Sequence, residues 1–220
     1  MTATVTIYSD LHCPWATVAI HRLRRARDGQ DLDVVFDQRA WPLEWVNEQG
    51  TPRHIVEPEM ALLASHEERL FSRFRAPSWP STLLPAFELV AAARRASGVR
   101  AAEDVDYQVR LAFFRLSADV SQRHVLHRVA ADAGLDADAV MHVWETEPVR
   151  ADVADDYRRS LDLPIEGSPQ IFWPDGSTSH NPGMDHESVR GLPRLRHADP
   201  AAAARLLAER AGGSHTGSAA

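Results

Sequence analysis

The sequence predicts an α/β chain with a β-α-β front, a long helical middle and a β-β-α end. Three observations predict it. Residues 3–9 alternate apolar and polar side chains, and a helical run follows at once. From about Pro58 to Arg159 apolar residues recur at helical spacing. After Leu163, two short strand-like runs flank Pro174-Asp175-Gly176-Ser177, a turn composition.

Taken in order, Thr4-Val5-Thr6-Ile7-Tyr8 reads as the first strand. Pro14 suits the first turn of the following helix, because its missing N–H would be unpaired there in any case. That helix runs to about Arg27 and stops at Asp28-Gly29. Residues 31–37 read as a second strand, and the unit closes by parallel pairing. Trp41-Pro42-Leu43 opens an irregular stretch punctuated by Gly50, Pro52 and Pro58. Helices are expected over 83–96, 104–116, 121–133 with Ser121 as N-cap, a segment capped by Asp136, and 149–160. Phe113, Phe114 and Trp144 fall at core positions of these helices. Residues 170–173 read as a strand, 177–180 as its hairpin partner, and 200–210 as the last helix. Residues 212–220 read as a disordered tail.

Composition narrows the function. A chain of 220 residues holds one large domain or two small ones. A net charge of −7 argues against nucleic acid as a partner, and Arg22, Arg24, Arg25 and Arg27 read as a solvated helix face. No run approaches the ~20 apolar residues of a membrane span. The first residues run straight into a strand with no signal-like segment, which makes the cytoplasm the default location. One cysteine excludes an internal disulfide and any multi-cysteine metal site. His124 and His127 share a helix face, but no acidic pattern completes a metal site, so none is expected. There is no Ser–His–Asp pattern, phosphate loop or glycine-rich dinucleotide motif.

The chemistry concentrates at Asp10-Leu11-His12-Cys13-Pro14-Trp15-Ala16. A thiol at a strand-to-helix junction meets unpaired N–H groups and the positive end of the helix dipole, both of which favour a thiolate. The expected pKa of Cys13 is therefore below that of a free thiol. His12 is placed to lower it further as an imidazolium, or to exchange a proton with it. Asp10 is expected only to support the loop. Ala16 stands where a dithiol motif would carry its second cysteine.

The residues Ser9 to Trp15, the helical middle, and Ile165-Glu166-Gly167-Ser168-Pro169-Gln170-Ile171-Phe172 together resemble the DsbA family of the thioredoxin superfamily. The branch is the one holding FrnE-type oxidoreductases, 2-hydroxychromene-2-carboxylate isomerases and kappa-class glutathione transferases. Residues 119–135 resemble its helix–turn–helix segment. The resemblance implies a discontinuous thioredoxin-like domain (1–41 and 163–211) with an inserted all-α domain (42–162). It implies catalytic Cys13 and His12, substrate binding by Pro14, Trp15, Ser168 and Pro169, and a cis Pro169 against the thiol. Trp41, Trp45 and Trp79 either line the groove or pack between domains.

The implied activity is thiol–disulfide oxidoreduction on a protein dithiol or disulfide, or on a small molecule. No cofactor is implied as bound; glutathione or another low-molecular-weight thiol is the implied co-substrate. A homodimer is left open. Ala16 departs from the family's dithiol motif, and a Cys-Pro-Trp-Ala site can hold a mixed disulfide but not resolve it. Ser168 stands where Thr or Val is more usual, and residues 181–186 replace a more regular end. Two alternatives follow: a thiol-dependent isomerase or transferase of a small aromatic substrate, or a redox-inactive member that binds peptide through the same groove.

Overall fold

The computed structural model describes residues 2–211, so the expected tail lies outside the described residues. A four-stranded sheet carries the frame, in the order β2-β1-β3-β4. β1 (Ala3–Ser9) pairs in parallel with β2 (Val34–Ala40) and antiparallel with β3 (Gln170–Phe172), which pairs with β4 (Thr178–His180). Val5 faces Phe36 across one pair and Ile7 faces Ile171 across the other. These side chains meet Ile20 and Leu23 of α1 (Pro14–Gly29) and Leu207 of α9 (Ala202–Arg210) in one core. Burying each such side chain contributes roughly 1.5–3 kcal/mol.

The helical middle builds a second, larger core. It contains α3 (Arg53–Leu63), α4 (Leu84–Ser97), α5 (Val99–Arg110), α6 (Arg123–Asp132), α7 (Ala137–Thr146) and α8 (Val149–Ser160). Phe113 and Phe114, on a π-helical turn over Leu111–Arg115, are buried in it. Trp15, Ala16 and Val18 of α1 belong to this core too, so the helix that starts at the thiol packs into both.

Several expectations need correction. β2 begins three residues late, because Asp31 takes a left-handed conformation (φ 50°) and Leu32 N–H closes on the Arg27 carbonyl. It then runs on through polar Asp37, Gln38 and Arg39, whose charges pair with Arg94 and Asp156. The stretch after Trp41 is partly helical, with α2 (Leu43–Val46) and α3, and Pro58 stands inside α3. Residues 64–83, expected to be helical, form turns strapped to the π-helical turn by the Ser72 N–H on the Phe114 carbonyl (2.8 Å). Ser121 does not cap α6; its hydroxyl and N–H go to Asp119. Asp136 does cap α7, accepting from Ala139 N–H at 3.1 Å. Residues 184–198 form an unexpected hairpin, β5 (Met184–Val189) and β6 (Leu192–Ala198).

The arginine face of α1 is likewise not solvated as expected. Arg22 and Arg27 are buried, and only Arg25 is well exposed. Arg22 pairs with Glu67, while Arg24 and Arg27 converge on Glu103 of α5. Glu103 is 0% exposed, and its second oxygen accepts Phe36 N–H of β2 at 3.0 Å. One carboxylate therefore docks α5 onto α1 and the sheet. Removing one partner of a buried ion cluster strands the others, at about 3–5 kcal/mol. Glu103→Ala is expected to lower the unfolding free energy by that amount in urea titration. A loss below about 1 kcal/mol would show that the docking does not depend on this cluster.

Candidate active site

Cys13 occupies the N-cap of α1, with extended backbone (φ −84°, ψ 112°). Its sulfur takes the capping role usually given to a serine or aspartate oxygen, accepting Ala16 N–H at 3.4 Å. The thiol itself donates to the Ser168 carbonyl at 3.3 Å. Ser168 hydroxyl accepts Asp10 N–H at 2.9 Å, and the Ser168–Pro169 bond is cis. The two ends of the chain thus meet at the sulfur. Pro14 and Trp15 follow in the buried first turn of α1.

The loop is held from beneath. Asp10 accepts His12 N–H at 2.6 Å and Leu43 N–H at 2.8 Å, tying the thiol loop to the start of α2. Burial nevertheless pushes its carboxyl up to about 6, against those two donors. Arg110 of α5, fully buried, donates to the Asp10 carbonyl at 3.0 Å and to the Ser9 hydroxyl at 2.8 Å.

Burial works against the expected acidity of the thiol. Cys13 is 6% exposed, and burial drives its pKa up to about 12, with nearby Glu59 adding to the rise. The Ala16 and Ser168 hydrogen bonds act against that rise without reversing it. His12 is no imidazolium either. Its ring is 1% exposed, stacked on Trp79 (5.0 Å) with the Phe113 ring edge-on (4.2 Å), and burial lowers its pKa to about 3. Neither ring nitrogen has a hydrogen-bond partner among the described residues. A histidine next to a cysteine in sequence is a signal for a charged pair only when both are hydrated, and here both are buried at the floor of a groove.

A groove of about 710 Å³ opens over Cys13. Trp15 and Trp41 line it, together with Asn47, His54, Glu59 and Gly167. Of Trp41, Trp45 and Trp79, Trp41 thus reaches the groove, while Trp79 packs on Phe74 and Phe113, and Trp45 packs on Tyr157. Sequence reasoning missed Glu59, His180 and His186. His186 of β5 stacks flat on Trp15 (3.8 Å, 10°), and burial lowers its pKa. His180 hydrogen-bonds through Nδ1 to the Pro169 carbonyl (3.1 Å). Gly167 lets that imidazole lie against the backbone, since a Cβ there would come within 2.7 Å of its ring. A glycine before Ser-Pro was the available signal. Burial holds the Glu59 carboxyl above its usual range. Among the described residues no group of three His, Cys, Asp or Glu is placed to hold a metal, and no helix is long and apolar enough to cross a membrane.

A family model for the DSBA-like thioredoxin domain matches residues 4–191. No curated protein matches the chain. Among solved structures, the chain is similar to a candidate protein disulfide isomerase from Nitrosomonas europaea (15% identity, TM-score 0.65, 95% of this chain and 97% of that one). It is similar to the cytosolic disulfide reductase DsbM from Pseudomonas aeruginosa (22%, TM-score 0.62, 94% and 97%). DsbM has also been solved with GSH (21%, TM-score 0.61, 94% and 98%). A 2-hydroxychromene-2-carboxylate isomerase is a further neighbour (15%, TM-score 0.57, 80% and 87%). These likenesses give a thioredoxin-like α/β fold with a helical insert.

A thiol raised to about 12 and capped by a carbonyl should be a slow nucleophile in the ligand-free protein. Alkylation of Cys13 by iodoacetamide at pH 8 is expected to be at least ~100-fold slower than that of a free thiol of pKa ~8.5, and to keep rising above pH 9. A rate that levels off near pH 7, followed by mass spectrometry, would show that the helix terminus outweighs burial.

Proposed function

The chain belongs to the DSBA-like thioredoxin domain family, and from that premise we propose that it is a thiol–disulfide exchange enzyme that works with one cysteine, Cys13, and a low-molecular-weight thiol. One observation carries the reading. The sulfur lies between the Ala16 N–H and the Ser168 carbonyl, at 3.4 and 3.3 Å, where an extended substrate backbone would pair. A substrate that takes the Ser168 carbonyl removes the acceptor that keeps the proton on sulfur. The Ala16 N–H and the α1 terminus then stabilise the thiolate, and the proton leaves to water.

The thiolate attacks one sulfur of the substrate disulfide. A Cys13–substrate S–S bond forms, the substrate S–S bond breaks, and the departing sulfur takes the electron pair. Ala16 supplies no second sulfur, so an external thiolate must attack the mixed disulfide and release Cys13. Trp15, Pro14, Ser168 and Pro169 hold the substrate in this reading, and residues 42–162 act as the insertion that walls the groove. His12 keeps a packing role rather than an acid–base one. The cytoplasm, which supplies reduced thiols, suits such a cycle. The disulfide reductase and GSH of the DsbM neighbour support the choice of reaction and co-substrate class.

A second reading is favoured by one feature. The thiol of Cys13 is protonated and already acts as a hydrogen-bond donor. It could donate instead to the thiolate of a bound small thiol that adds to an aromatic substrate, as an isomerase or transferase would require. Cys13→Ser separates the two. If Cys13 is the nucleophile, the serine variant should lose at least ~1000-fold of thiol-dependent disulfide reduction, because an alcohol does not exchange with disulfides. If Cys13 is a donor, the hydroxyl replaces it and most turnover with small thiol and aromatic substrate survives. Absence of activity and of mixed disulfide in the native protein would leave only a binding groove.

A further inference from the structure

Resting on the single-thiol reading, we propose that the groove selects a small thiol without carboxylates, and disfavours glutathione. The chain carries 24 arginines and no lysine, yet among the described residues no arginine lines the groove over Cys13. Its lining includes two carboxylates, Glu59 and Glu166. Glu59 lies close enough to Cys13 to oppose its ionisation. Arg53, next to Pro52 and His54, pairs with Glu57 and lies over Phe74 and Trp79, and Arg196, near His186, pairs with Asp185 at 2.9 Å.

Glutathione carries two carboxylates, whose usual partners are guanidinium forks or ammonium groups. Besides the α1 terminus, which serves the Cys13 sulfur itself, the feature that favours an anion is the N-terminus of α3, where Pro52 offers no side-chain cap. Its partial charge of about half a unit is outweighed by two full negative charges in the same groove. Burial lowers the pKa of His186, which works against its carrying charge, and His180 already spends Nδ1 on the Pro169 carbonyl. Asn47, Gln49 and Thr51 also line the groove and offer amide and hydroxyl groups. The ligand that matches is a neutral thiol whose polar groups are hydroxyls or amides.

The test removes the two carboxylate charges at the cost of two added ethyl groups, and the salt dependence isolates the charge. The native protein is incubated at pH 8 with glutathione disulfide, or with the disulfide of glutathione diethyl ester, and Cys13 modification is followed by intact-mass spectrometry. In each case the Cys13 thiolate forms one S–S bond as the probe's S–S bond breaks, and one probe thiolate leaves. Rates are divided by those of the same probes with N-acetylcysteine amide, which removes intrinsic differences. The ester should react about tenfold faster than the acid, a ratio that shrinks with added salt. Glu59→Gln and Glu166→Gln together should also narrow it. Equal rates, or faster reaction with glutathione disulfide, would overturn the proposal while leaving the single-thiol reading intact. Failure of both probes to modify Cys13 at any pH up to 10 would remove that reading, and this proposal with it.

Discussion

Arg110 is fully buried and uses its guanidinium on four groups at once: the Asp106 carboxylate, the Ser9 hydroxyl, the Asp10 carbonyl and the Thr17 hydroxyl. A buried guanidinium costs several kcal/mol in lost hydration, and only near-complete coordination offsets it. That demand fixes geometry. Asp106 and Arg110 share α5, so the helix presents a rigid fork. The fork takes hold of the end of β1 and the first turn of α1, on either side of the thiol. Asp10, held by its carbonyl, is free to spend its carboxylate on His12 N–H and Leu43 N–H. The position of Cys13 is therefore a property of the helical middle as much as of the strand and helix that flank it.

Two forces compete at the sulfur, and their sizes decide the outcome. A helix terminus is worth about 0.3–1 kcal/mol, up to ~2 in partly buried geometries. At 1.36 kcal/mol per pKa unit, that lowers a thiol by little more than one unit. Burial acts the other way and, with the Glu59 charge, pushes the Cys13 thiol up to about 12. The apolar wall of Trp15 and the nearby Glu59 charge both work on the side of the neutral thiol. The helix-terminus rule names the direction of one force correctly, yet the site follows the larger one. Only a change in burial or in the Ser168 acceptor can release the thiolate.

This competition also separates what was legible in the sequence from what was not. β1, α1, α4 and α8 rest on local periodicity and local stop signals, and they appear close to the expected bounds. Cys13, Ser168 and Pro169 could be paired before any coordinates because a family resemblance links the two ends of the chain, and the Cys13–Ser168 contact is present. The environment of His12 was not legible. Its stack on Trp79 and Phe113 joins residues 67 and 101 positions apart, and no local pattern encodes that. The β5–β6 hairpin was hidden for a different reason. Residues 184–198 are rich in charge and half-exposed, so they lack the apolar alternation that announces a strand. Arg22 and Arg27 looked solvated because their partners, Glu67 and Glu103, lie far along the chain.

The missing second cysteine and the unannounced hairpin bear on the same problem. A dithiol site stores its oxidising equivalent in its own disulfide and needs room for one substrate. A one-thiol site must receive its second sulfur from outside, so its groove has to admit another body. Ala16 is 0% exposed, and the first turn of α1 leaves no path to the sulfur from that side. Approach must come over Trp15, and there β5 places His186 flat on the indole. That stack makes the buried Trp15 part of a wall between α1 and the hairpin. Glu59 reaches the same wall from α3, so one surface of the groove is assembled from three separate segments of the chain. What the groove admits therefore depends on that wall more than on the cysteine motif.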